Sequence, residues 1–128
     1  MKGRLMRRYI TVPLAAAAVL LGLAACSAGP NAASTVEVGA NTVILDVRTA
    51  EEYAGGHLEG SQLLDFNSGE VAAAIPTLDP EAEYLVYCRS GNRAGQAIAL
   101  MEQAGFTNVT NLGSLEQAAQ ATGNPIVR

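Results

Sequence analysis

At 128 residues the chain has room for one domain, and its 8 basic and 12 acidic residues give a formal charge of −4. Lys2, Arg4, Arg7 and Arg8 all precede Cys26, so the part after it keeps 4 basic and 12 acidic residues, a formal −8 without lysine. That balance argues against nucleic-acid binding, whose phosphate contacts require Lys and Arg, and a lone histidine, His57, excludes a multi-histidine metal site.

The four early cations form a basic start, and "PLAAAAVLLGLAA" (Pro13 to Ala25) follows without a charge. A basic region, an apolar run and small residues at its end make the layout of a secretory signal. "LAAC" (Leu23 to Cys26) resembles the bacterial lipobox, in which the cysteine is lipidated and becomes the new N-terminus. The expectation is a signal over residues 1–25, cleavage before Cys26, and a lipid-anchored protein outside the cytoplasm on a bacterial membrane. A plain signal peptide and an uncleaved membrane helix are the alternatives. "SAGPNAAST" (Ser27 to Thr35) is small, polar and proline-containing, which suits a tether over residues 26–35. The domain is expected over 36–128.

"TVILDV" (Thr42 to Val47) is apolar and β-branched, a buried strand ending near Asp46. Thr49 and Glu52 have capping-box spacing, so a short helix begins there; Gly55 and Gly56 stop it. "SQLLDF" (Ser61 to Phe66) holds a short strand. "GEVAAAI" (Gly69 to Ile75) predicts a helix ended before Pro76. "YLVYC" (Tyr84 to Cys88) is a second strong strand. In "AGQAIALMEQAG" the apolar Ala94, Ala97, Ile98 and Met101 fall at i, i+3, i+4 and i+7, a helix face closed by Gly105. "NVTNL" (Asn108 to Leu112) is a further strand, and "LEQAAQAT" (Leu115 to Thr122) a last helix stopped by Gly123. Strands alternating with helices imply an α/β fold, a mostly parallel sheet with helices on both faces. Such sheets bind ligands beyond the carboxyl ends of their strands. Asp46 and Cys88 both fall at such ends and are candidates for one shared site.

If Cys26 carries lipid, Cys88 is the one remaining thiol. An unpaired cysteine in an exported protein is either a reactive thiol or a buried core residue. Its loop, "CRSGNR" (Cys88 to Arg93), lies between a strand and a helix. Backbone N–H groups turned inward there form an anion nest, and the helix start adds partial positive charge. Arg89 and Arg93 add full charges, and every one of these effects favours thiolate over thiol. Gly91 permits the tight turn, and Ser90 and Asn92 suit a polar rim. The construction fits a nucleophilic sulfur that accepts and releases an anionic group.

This loop resembles the active-site loop of the rhodaneses. "LDVRTAEEYAGGHLEGS" (Leu45 to Ser61) resembles that family's first signature, and "GFTNVTNLGS" (Gly105 to Ser114) a later segment; together the three span about Asn41 to Val127. The resemblance implies a rhodanese-like fold with a small, mostly parallel five-stranded sheet. It implies a sulfurtransferase that moves a sulfane sulfur from a donor such as thiosulfate to a thiol or cyanide-like acceptor. Cys88 would carry the persulfide, the amides of Arg89 to Arg93 would cradle it, and the two arginines would attract anionic donors. No cofactor and no metal are implied. Asp46 and Arg48 would be mainly structural, with Arg48 paired to Glu51 or Glu52, and His57 would pack and hydrogen-bond. The alternative is a binding or sulfide- and redox-sensing module of the same fold at the membrane, without turnover. Phosphatases and arsenate reductases with a related loop place one more residue between cysteine and arginine than the four here, which favours sulfur over a tetrahedral oxyanion. Three departures stand out. There is no room for a helix before the Asp-Val-Arg strand, Ser114 replaces the second glycine of a Gly pair, and a later tryptophan is absent, with Ala118 near its place.

Overall fold

The computed structural model describes residues 36–128. The expected signal over residues 1–25, Cys26 and the rest of the expected tether, residues 27–35, lie outside the described residues.

Four parallel strands form the main sheet: β1 (Thr42–Asp46), β3 (Ser61–Leu63), β4 (Glu83–Tyr87) and β5 (Val109–Gly113), in the order β3-β1-β4-β5. β1 and β4 lie at the centre, with Ile44 opposite Leu85 and Asp46 opposite Tyr87. Their side chains alternate between two cores, as the strand period of two requires. Leu45, Val47, Tyr84, Val86 and Cys88 pack into one with Ala94, Ala97, Ile98 and Met101 of α3 (Asn92–Gln103). Ile44, Leu85, Tyr87 and Leu112 pack into the other with Leu115 and Ala118 of α4 (Leu115–Thr122). Burial on both faces is why these strands read as unbroken apolar runs.

The expected fifth strand of the sheet does not join it. β2 (His57–Leu58) pairs antiparallel with β6 (Ile126–Val127) as a separate ribbon, His57 opposite Val127. Two-residue strands carry no period that a sequence pattern can register.

The short helix α1 (Ala50–Gly55) begins at a complete capping box: the Thr49 side chain accepts from the Glu52 amide and the Glu52 side chain from Thr49. Ser114, one of the departures, caps α4 in the same reciprocal way with Gln117. A glycine there has no side chain to offer, so the substitution supplies a cap. Helix α2 (Glu70–Ala74) passes through Pro76 as a 3₁₀ turn, Ile75–Thr77. Pro76 has no N–H to extend the ladder beyond the Ile75 N–H to Val71 O bond, so the regular α-helix ends there and the chain tightens. Helix α3 begins at Asn92, two residues before its apolar face, so Asn92 and Arg93 form its first turn. Ala118 is fully buried in the second core, on the inward face of α4.

Candidate active site

Cys88 follows the last residue of β4, and its residue is 0% exposed. Its amide donates to the carbonyl of Gly113 at 3.0 Å. Gly91 then takes a φ of +92°, which only glycine adopts without strain, and a Cβ there would press on Gly113 Cα at 3.3 Å. This turn brings the Gly91 N–H to 2.9 Å from Cys88 Sγ. Among the described residues the amides of Arg89, Ser90, Asn92 and Arg93 have no hydrogen-bond acceptor. Unpaired amides around a sulfur at a helix start are the donors of an anion nest. Burial alone would make Cys88 a core residue; the donor at its Sγ and the unpaired amides beside it set it apart.

Asn111 fixes this loop from β5. Its Nδ2 donates to Gly91 O at 2.9 Å, and its Oδ1 accepts from Gly113 N at 2.9 Å. It sits where the β4–β5 register slips, with Val86 opposite Asn111 and Tyr87 opposite Gly113. The sequence reading gave Asn111 no role. The available signal was an asparagine inside a short strand, a residue type that strands disfavour.

The two loop arginines differ. Arg93 is half-buried and bidentate to Glu52 of α1, at 2.7 and 3.1 Å. Its charge is therefore met within the fold instead of standing free for a donor. Arg89 is exposed and has no ion-pair partner among the described residues. The hydrogen bonds from Arg93 hold the Glu52 carboxyl down at about 2, against an ordinary 4.5. A depressed carboxyl stabilises the fold above its unfolded pKa, and that contribution is lost as pH falls from 4.5 through about 2. Glu52→Gln is expected to flatten this acid limb. Unfolding free energies from urea titrations between about pH 5 and about pH 2 should fall less in the variant than in the parent, by about 1 kcal/mol or less because the pair is partly solvated. Equal slopes would mean that the pair is open in solution.

Asp46 is not brought to the thiol. It is fully buried and faces the second core, where Arg48 and Tyr87 hold it. Arg48 pairs with Asp46 and not with Glu51 or Glu52: its Nη2 lies 2.7 Å from Asp46 Oδ2 and donates to the Gly56 carbonyl at 2.6 Å. Glu52 is committed to Arg93 and Glu51 is exposed, whereas Asp46 is buried beside Arg48. The Tyr87 hydroxyl donates to Asp46 Oδ2 at 2.7 Å and accepts from Leu58 N at 3.0 Å. Burial pushes the Tyr87 phenol up to about 12, so it stays a donor. His57 stacks on Tyr53 with ring centroids 3.7 Å apart, and its Nδ1 lies 2.9 Å from the Tyr53 carbonyl. That acceptor places the proton on Nδ1, and the ring's contacts lie with α1. The residue set thus divides: Cys88, Arg89, Ser90, Gly91, Asn92 and Arg93 form the loop, while Asp46, Arg48 and His57 brace the elements beside it. Among the described residues no cluster of His, Cys, Asp and Glu could hold a metal ion.

The family model described as "Rhodanese-like domain" matches residues 32–121. The chain is 32% identical over 77 residues to the thiosulfate sulfurtransferase PspE of Escherichia coli, a match covering 59% of this chain and 72% of that one. It is 36% identical over 90 residues to the thiosulfate sulfurtransferase GlpE of Pseudomonas fluorescens, covering 65% and 81%. The crystal structure of the Rhodanese_3-like domain of the Alr3790 protein from Anabaena superposes with a TM-score of 0.59 at 30% identity, covering 68% of this chain and 99% of that domain.

Proposed function

The chain belongs to the rhodanese-like family, and from that premise we propose that it is a thiosulfate sulfurtransferase working through a persulfide on Cys88. The observation that carries this reading is the Gly91 amide 2.9 Å from Cys88 Sγ, with the neighbouring amides of the loop unpaired among the described residues. A thiolate at the floor of such a nest attacks the sulfane sulfur of thiosulfate. The new S–S bond forms as the donor's S–S bond breaks. Sulfite leaves with the bonding electron pair, and Cys88 becomes a persulfide anion. The unpaired amides stabilise its terminal sulfur. Arg89 is the exposed cation beside the bowl that draws the donor in. A thiophilic acceptor then attacks the terminal sulfur, and the Cys88 thiolate departs.

The test is the intact mass of the domain after thiosulfate and again after cyanide, with the modified peptide sequenced. A gain of one sulfur atom on the Cys88 peptide that cyanide removes supports the carrier. A reduced Cys88 that gains nothing would overturn it. The basic start, the apolar run and Leu23 to Cys26 further support export and lipidation at Cys26. Incorporation of labelled palmitate into the full chain, lost in Cys26→Ser, tests that anchor.

A further inference from the structure

A cleft of about 520 Å³ lies beside the thiol loop, bounded by α1, the start of α4 and the β2–β6 ribbon. Its charged lining is Arg48, Glu51, Glu52, Arg89, Glu116 and Arg128. Two of these are committed elsewhere, Arg48 to Asp46 and Glu52 to Arg93. The other four, Arg89, Arg128, Glu51 and Glu116, are exposed and have no ion-pair partner among the described residues. Arg128 is nevertheless held in place: its Nε donates to the Gly55 carbonyl at 3.0 Å, and the ribbon pairs its neighbour Val127 with His57. Leu115 and Ile126 give the cleft an apolar wall.

A cleft built to gather simple anions gains nothing from Glu51 and Glu116, which repel them. A cleft for cations gains nothing from Arg89 and Arg128. Two guanidinium groups and two carboxylates around one small volume complement a ligand bearing both charges. Arg89 adjoins Cys88, so such a ligand would sit at the mouth of the sulfur bowl. We infer that this cleft binds the sulfur acceptor, and that the acceptor is a small zwitterionic thiol carrying a carboxylate and an ammonium group. The carboxylate meets Arg89 and Arg128, and the ammonium meets Glu51 and Glu116. This inference rests on the persulfide reading of Cys88. The acceptor sulfur attacks the terminal sulfur of the persulfide; that bond forms as the bond to Cys88 Sγ breaks. Cys88 leaves as thiolate, and the thiol's proton ends on the product persulfide. No external oxidant or reductant is needed.

The experiment loads the full chain with thiosulfate, removes the donor, and follows discharge by three probes: cysteine, cysteamine without the carboxylate, and 3-mercaptopropionate without the ammonium. Each is measured on the parent, Arg128→Ala and Glu116→Gln. Comparing variants for one probe cancels that thiol's intrinsic nucleophilicity. Arg128→Ala is expected to slow discharge by cysteine and 3-mercaptopropionate about tenfold relative to its effect on cysteamine. Glu116→Gln is expected to slow cysteine and cysteamine relative to 3-mercaptopropionate. Probes that shift together, or not at all, would overturn the zwitterion cleft while leaving the carrier intact. Failure to load at the first step would sink both readings, and it is seen before any acceptor is added.

Discussion

Cys88→Ser is expected to abolish thiosulfate-to-cyanide turnover, by at least about three orders of magnitude, while the fold persists. A hydroxyl at this position accepts the Gly91 N–H much as the sulfur does, so the loop keeps its turn. What is lost is the chemistry: an alkoxide is not available at neutral pH, and oxygen does not form the S–S bond on which transfer depends. The variant should therefore match the parent in circular dichroism and urea midpoint and gain no mass from thiosulfate. This separates two classes of function. A carrier loses everything with the sulfur, whereas a module that only holds a partner through its surface keeps its binding. Turnover that survives in a folded Cys88→Ser would place the reaction elsewhere on the chain.

Asp46→Ala is expected to cost about 3–5 kcal/mol of stability, because it leaves a buried guanidinium uncompensated. Arg48 is 6% exposed and Asp46 0%. The carboxylate accepts from the Arg48 side chain and backbone and from the Tyr87 hydroxyl, so its removal takes an acceptor from three sets of donors and leaves Arg48 only the Gly56 carbonyl. The replacement of both members, Asp46→Leu with Arg48→Met, should recover much of the loss, since the cost lies in the unpaired charge more than in the pair's net attraction. Urea denaturation of the single and double variants checks both statements. A single variant within about 1 kcal/mol of the parent would show that water reaches Arg48.

The parts of the fold legible from sequence were those with local causes. Helix α4 has the bounds its sequence suggested, because its apolar face and Gly123 act within a few residues of each other. The face of α3 is likewise the i, i+3, i+4, i+7 set, with Ala94, Ala97, Ile98 and Met101 all buried. The β2–β6 ribbon joins residues 68 and 70 positions apart. Each strand is two residues long, and no local pattern announces such a pairing.

The active-site loop divides on the same line. The order of residues from Cys88 to Arg93 determined the chemistry on offer: one thiol, a glycine for the turn, and main-chain amides at a helix start. Those follow from covalent geometry and nearest neighbours. Which charges remain free was decided by tertiary structure. Arg93 is met by Glu52 and Arg48 by Asp46, while Arg89 stays unpaired and Arg128 arrives from the far end of the chain. Ion pairing depends on which side chains lie within a few ångströms, and residues 41 apart, such as Glu52 and Arg93, become neighbours only once the sheet has formed.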